Sequence, residues 1–233
     1  MSYMRSTKQA YQKWADDVGD ASFSFDNLLP FFQKSIHYTP PDMTKRAINS
    51  TVDVDAASIA ASSGRDNPVS VTFPNYAQPP TSWIQMGFEE IGLNPTNGHI
   101  SGNLLGSAYS LATINATTQT RESSETSFLT SALDQETLTV YISSLAKKVV
   151  FDDNKVATGV EVETSGIPYT LSAKREVIVS AGAFQSPQLL MVSGVGPKDT
   201  LCKYKIPVIA DRPGVGQNMW VSDKRPALVF FWY

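Results

Sequence analysis

The 233-residue sequence contains a single cysteine, Cys202, and only two histidines, His37 and His99. One cysteine excludes an intrachain disulfide and a metal site built from thiolates. Neither histidine lies at a ligand spacing from another His, Asp or Glu, so the sequence predicts no metal site, and we expect both histidines on the surface. We expect Cys202 to be an inert, half-buried residue, as most lone cysteines are.

Excess positive charge and long hydrophobic runs are also missing. A net charge of −3 gives no basic stripe, which argues against a nucleic-acid partner. The longest apolar run, PALVFFWY near the C-terminus, is far too short for a membrane span, so we expect no membrane partner. The 42% hydrophobic and 18% charged residues are typical of a folded protein with a core, in one large domain or two small ones.

The most informative segment is REVIVSAGAFQSPQLLMVSGVG, residues 175–196. Its β-branched run at 177–179 predicts a buried strand, and Gly182 predicts a tight turn. Ser186 then suits the N-cap of a helix whose first residue is Pro187, and Gly194 suits the position just after the helix ends. Such a junction directs unpaired backbone N–H groups away from the sheet. These features by themselves favour an ordinary connection that binds nothing.

The rest of the chain shows a mixture of helix and strand signals. Apolar residues at helical spacing predict a helix over 7–18, and residues 40–68 read as a long surface loop or lid. Strand signals are dense after residue 134. Alternation at 138–142 predicts one strand, and turn residues at 152–154 and 165–166 predict a three-stranded meander that follows it.

Residues 182–196, GAFQSPQLLMVSGVG, resemble the second signature of the glucose–methanol–choline (GMC) oxidoreductases, a family of FAD-dependent enzymes. Similarities also occur at the N-terminus (MSYMRSTKQAYQKWADD), at TRESSETSFL and at RPGVGQNMW. The resemblance covers residues 1–220 and is strongest to the fungal members. It implies an α/β plus α+β chain, with a partial Rossmann-like FAD-binding domain, an inserted β-meander and part of an antiparallel-sheet substrate domain.

The resemblance implies FAD as the cofactor and a small-molecule alcohol as the substrate. Carried over residue by residue, Met1 and Ser2 match the end of a motif beside the isoalloxazine, and Ala146 matches a contact at the adenine end. Gly182 and Ala183 match small residues beside the FAD, and Asn218 matches a position near the pyrophosphate. No family catalytic residue can be assigned, because neither histidine matches the family's catalytic motif.

The implied domain segments are 1–38 (a helical part of the FAD domain), 39–115 (a partial substrate or lid domain) and 116–220 (FAD domain). The family's Gly-x-Gly-x-x-Gly motif and its C-terminal histidine pair have no counterpart here, and residues 221–233 depart from the family pattern. We therefore expect a fragment of an alcohol oxidase or dehydrogenase, inactive by itself. The alternatives are a non-catalytic pseudoenzyme and a family member that holds FAD while catalysing a lyase or cyclisation reaction.

Overall fold

The computed structural model describes residues 2–47, 50, 52–60 and 67–219. The chain forms two compact units that divide between Leu138 and Thr139, here called the N-terminal and C-terminal units. The domain segments predicted above rest on the resemblance and stay predictions. The tail predicted at 221–233 lies outside the described residues.

The N-terminal unit is built from helices and very short strands. Strand β1 pairs antiparallel with β4, and β2 pairs in parallel with β3. A short 3-10 helix (Ala21–Phe23) precedes α2, and a π-helix (Glu125–Leu129) runs directly into α5. The elements, in order, are β1 (Ser2–Tyr3), α1 (Lys8–Val18), α2 (Phe25–Ser35), β2 (Ile36–Tyr38), α3 (Ala56–Ile59), β3 (Val69–Val71), α4 (Pro79–Glu90), β4 (Leu111–Ala112) and α5 (Thr130–Ala132).

Helix α1 confirms the helix predicted over 7–18. Its N-terminus is capped by Thr7, whose hydroxyl accepts a hydrogen bond from the Ala10 N–H at 3.1 Å. Its C-terminus is closed by Gly19, which adopts a left-handed φ of 68°. Both ends are therefore set by local sequence. The helical spacing of apolar residues in the same segment was sufficient to predict this helix.

The core of the N-terminal unit lies around the parallel β2–β3 pair. Apolar side chains from these strands, from β4 and from the segments between them are almost completely buried, and partly buried residues such as Tyr3 and Tyr38 pack against them. The cluster comprises Ile36, Val71, Phe73, Ile100 and Leu111. Because these residues come from distant parts of the chain, their packing holds the short strands together.

The C-terminal unit contains a three-stranded antiparallel sheet in the order β5-β6-β7 and a two-stranded parallel sheet formed by β8 and β9. The first sheet turns at the positions that the sequence indicates. Asp152 accepts a hydrogen bond from the Asn154 N–H at 2.9 Å, and Ser165 and Gly166 both have positive φ. The elements are β5 (Ser144–Phe151), β6 (Ala157–Thr164), β7 (Ile167–Ser172), α6 (Gly182–Val192), β8 (Val195–Gly196), α7 (Lys198–Lys203) and β9 (Ala210–Asp211).

Two strand predictions are wrong. Neither residues 138–142 nor residues 177–179 form a strand, and Ile142 and Ile178 are 78% and 77% exposed. Within the described part of the chain, no strand pairs with either segment. A β-branched run becomes a buried strand only when neighbouring strands cover it, and that condition cannot be read from the run itself.

The predicted start of α6 is also wrong. The helix begins at Gly182, which has φ of 87°, so Ser186 is not the N-cap and Pro187 lies inside the helix. A proline at this position removes the N–H that would bond the Ala183 carbonyl. The predicted ends of the segment are confirmed: Gly182 makes the turn, and Gly194 follows the helix with φ of 91°.

The burial of the two histidines and of the single cysteine also differs from expectation. His37 and His99 are half-buried rather than on the surface, and the His99 Nε2 atom is buried without a partner among the described residues. Cys202 is exposed on α7 rather than half-buried. Among the described residues, no helix has the length and apolar character needed to cross a membrane, and no cluster of three His, Cys, Asp or Glu side chains could hold a metal.

Gly194→Ala is expected to destabilise the C-terminal unit by about 2 kcal/mol or more, because an alanine at positive φ is strained. The added Cβ would also lie 2.5 Å from the Pro207 carbonyl oxygen and 2.8 Å from Ile209 Cγ1. Hydrogen exchange of residues 144–172 in increasing denaturant measures the change. Gly214→Ala is the control, since its Cβ would meet nothing within 4 Å. Equal stabilities for the two variants would contradict the prediction.

Tyr38→Phe is expected to reduce the loss of stability at alkaline pH. Burial raises the pKa of the Tyr38 hydroxyl, and the negative charge of Asp53 raises it further. The stabilising contribution is complete below the unfolded pKa of about 10 and is lost as pH rises through the higher folded value. Thermal melts of wild type and variant, at pH values from below the unfolded pKa upward, measure the loss of stability with pH. Tyr76→Phe, at a tyrosine that is 70% exposed, should leave the wild-type slope unchanged.

Candidate functional site

The start of helix α6 is the feature of the C-terminal unit best suited to hold an anion. Ala181 occupies the N-cap position and makes no side-chain hydrogen bond, and the first turn contains no acidic residue. Gly182 and Ala183 are both exposed. The first N–H groups of an eleven-residue helix therefore point outward without a capping partner, at the positive end of the helix dipole.

Gly182 keeps the approach to this helix start open. A Cβ built on Gly182 would meet no atom within 4 Å, so a side chain there would occupy space that is now free. Its φ of 87° is also one that other residues adopt only with strain. A ligand can therefore approach the backbone here more closely than at a residue with a side chain.

The far end of α6 is tied to the sheet by Ser193. Its hydroxyl donates to the Leu189 carbonyl at 2.6 Å and accepts from the Val149 N–H at 2.8 Å. Ser193 and Val149 are both buried, at 7% and 5% exposure. This pair of bonds fixes the helix against the edge of β5 while leaving the other end of the helix free.

Asn218 lies in the turn that follows β9, and this turn packs on α6. A Cβ placed on Gly216 would lie 3.7 Å from Pro187 Cβ and 3.6 Å from Met191 Cε, so the turn touches the helix face. Asn218 itself is exposed and has a left-handed φ of 53°. The turn that precedes Asn218 therefore lies beside the middle of α6, at Pro187 and Met191.

The remaining predicted site residues lie elsewhere. Ala146 is exposed on β5, where it pairs with Val162 of β6. Ser2 is exposed on β1 of the N-terminal unit, and Met1 lies outside the described residues. Gly182 and Ala183 are neighbours at the start of α6, and the roles of all six residues stay predictions.

Sequence reasoning placed Ser193 within the family signature without predicting its bond to Val149, and it assigned no role to Phe184. Phe184 is 73% exposed in the first turn of α6, directly after Ala183. A single exposed aromatic residue is common on protein surfaces, so the sequence gave no reason to select Phe184. The bond of Ser193 could not be predicted, since its partner Val149 is distant in sequence.

The family model of the GMC oxidoreductases, for their N-terminal part, matches residues 1–222. The chain belongs to the GMC oxidoreductase family. This confirms the family indicated by the signature at 182–196. FAD is the cofactor that the N-terminal domain of this family binds.

Among curated proteins, patulin synthase of Penicillium expansum is 55% identical to this GMC chain over 219 residues, which are 94% of this chain and 34% of that protein. The chain thus spans about a third of the length of the curated relatives it matches. A FAD-dependent oxidoreductase from Chaetomium thermophilum superposes with a TM-score of 0.82 at 29% identity, covering 92% of this chain and 36% of the other.

A fungal aryl-alcohol oxidase superposes with a TM-score of 0.81 at 25% identity, again over 92% of this chain and 36% of the other. These likenesses support the α/β part of the predicted fold. The finer prediction, in which the three-stranded sheet is inserted in a Rossmann-like domain and residues 39–115 form part of a substrate domain, stays a prediction.

The residues at the helix start fit the pyrophosphate of FAD. This group is dianionic and needs hydrogen-bond donors, an open approach and no nearby carboxylate. The uncapped N–H groups of α6, the free space at Gly182 and the absence of acidic residues from the first turn meet these needs.

Ser193→Ala is expected to destabilise the C-terminal unit by about 1–3 kcal/mol, because the buried Val149 N–H would lose its partner. Denaturant unfolding followed by hydrogen exchange of β5 measures the loss. The matched control is Ser186→Ala, since Ser186 lies inside α6 instead of capping it. A large effect at Ser186 and none at Ser193 would show that the sequence-based helix start was the better description.

Proposed function

We propose that this chain supplies FAD-binding residues to an oxidoreductase that acts on the CH–OH group of an alcohol. Membership of the GMC family supports the cofactor, and the structural likeness to an aryl-alcohol oxidase supports the substrate class. The observation that carries the proposal is the open, uncapped start of α6 at Gly182.

In this proposal Gly182 and Ala183 receive the pyrophosphate, and the exposed amide of Asn218 serves the same end of the cofactor. The resemblance assigns Ala146 to the adenine end of the cofactor and assigns Met1 and Ser2 to the isoalloxazine. The chemistry that a bound FAD supplies is acceptance of a hydride from the alcohol carbon. The role of this chain is to bind and orient the cofactor through backbone donors and small side chains.

The proposal assigns cofactor binding, and not turnover, to the chain by itself. Alcohol oxidation needs a general base to take the hydroxyl proton. Neither His37 nor His99 corresponds to a family base, and the His99 imidazole is half-buried.

Titration of FAD with the purified chain, followed by flavin fluorescence and visible circular dichroism, tests the proposal. Saturable quenching with an induced dichroism band is the expected result. Absence of both at high protein concentration would contradict the proposal and favour the non-catalytic alternative. Binding without reduction by any alcohol, once the chain is joined to the remainder of a GMC fold, would favour the lyase or cyclase alternative.

Ala183→Glu is expected to weaken FAD binding by about tenfold or more, since a carboxylate would face the pyrophosphate. The same substitution should leave the fold intact or slightly more stable, because a negative charge is favourable at a helix N-terminus. The two measurements are the FAD titration and the melting temperature. Thr200→Glu adds the same charge near the start of α7 and should leave FAD affinity unchanged. Equal weakening by both variants would indicate a non-specific effect of net charge.

A further inference from the structure

The first residues of the chain alternate strictly between outward and inward side chains. Ser2 is exposed and Met4 is 56% exposed, while Tyr3 packs against the core and Arg5 is only 3% exposed. This is the period of an extended strand, in which neighbouring side chains point to opposite faces. The direction in which Ser2 and Met4 point is therefore fixed by whatever holds Tyr3 and Arg5 inside.

Arg5 is held by hydrogen bonds to distant parts of the N-terminal unit. Its Nη1 donates to the carbonyl oxygens of Ser58 at 3.0 Å and Ile100 at 3.2 Å, and its Nε donates to the Tyr3 hydroxyl at 3.3 Å. Its backbone N–H donates to the His99 carbonyl at 3.0 Å. One side chain thus connects β1 with the end of α3 and with the loop before β4.

The charge of Arg5 is not neutralised by a carboxylate. The ion pairs found among the described residues do not include it, and its guanidinium instead lies 5.7 Å from the Tyr3 ring and 5.4 Å from the Phe32 ring. Its Nη2 atom is buried and has no partner in the described part of the chain. Burying an unpaired charge is costly, so stability alone is a poor reason for an arginine here.

We propose that Arg5 is a positioning residue: by anchoring the inward face of the N-terminal strand, it holds Ser2 and Met4 on the outward face for contact with the cofactor. This inference rests on the proposed function, since Ser2 is there assigned to the isoalloxazine side. It adds Met4 to the residues that present themselves on that face.

The geometry requires a guanidinium. The planar fork of arginine reaches the Ser58 and Ile100 carbonyls and the Tyr3 hydroxyl together, and lysine has a single nitrogen with which to do so. A shift of one residue in a strand exchanges its two faces. Loss of the fork therefore frees the strand to present Tyr3 where Ser2 now lies, without requiring the whole unit to unfold.

Hydrogen–deuterium exchange of the full chain tests the anchoring directly. In Arg5→Lys and Arg5→Met, exchange of the peptides over 2–8 and 99–102 should accelerate by about tenfold or more. Exchange of the core strands β2 and β3 should be unchanged. Arg175→Lys, at an exposed arginine of the C-terminal unit, is the control. Unchanged exchange over 2–8, or loss of protection across the whole N-terminal unit, would overturn the proposal.

FAD titrations of the same variants test the consequence. Both Arg5 variants should bind FAD about tenfold more weakly and alter its visible dichroism, while melting temperatures remain within a few degrees of wild type. Wild-type affinity and dichroism in both variants would overturn the positioning role and leave the proposed function standing. Failure of the wild-type chain to bind FAD would overturn the proposed function. It would also overturn the proposal that Ser2 and Met4 contact the cofactor.

Discussion

The hydroxyl of Ser193 joins helix α6 to strand β5, and the candidate site depends on that connection. Buried polar groups require partners, and this side chain accepts the hydrogen bond of the buried Val149 N–H at 2.8 Å. The same helix supports the Asn218 turn through Pro187 and Met191. Because α6 is fixed at its C-terminal end, its N-terminal end can remain uncapped and open without losing its position.

In the N-terminal unit the corresponding polar side chain is that of Arg5. Its guanidinium donates to the backbone carbonyls of Ser58 and Ile100, which are far from Arg5 in the sequence. In both units a polar group inside the protein determines which surface faces outward. The apolar cluster around Val71 and Phe73 supplies burial, which is not directional, whereas the polar groups supply direction.

Elements whose signals lie within the local sequence were predicted correctly. Elements that depend on partners distant in sequence were not. Helix α1 has its cap and its terminating glycine beside it in sequence, and the turns of the β5-β6-β7 sheet carry their own Asp, Asn and Gly residues. The run at 177–179 lacked a pairing strand, and nothing within the run could reveal this. Pro187 was misread as the first helical residue because proline favours that position, whereas in the structure it lies inside α6. The signature glycines were found, but the contacts of Ser193 and Arg5 were invisible from sequence.

The exposed thiol of Cys202 has a practical consequence. As the sole cysteine of the chain, on the surface of α7, it is a ready-made attachment point for a maleimide dye that would report on the C-terminal unit alone. It also makes the purified chain prone to cross-linking into pairs under oxidising storage, since nothing in the same molecule can compete for that sulfur. Preparations for spectroscopy therefore need either a reductant or a serine at this position.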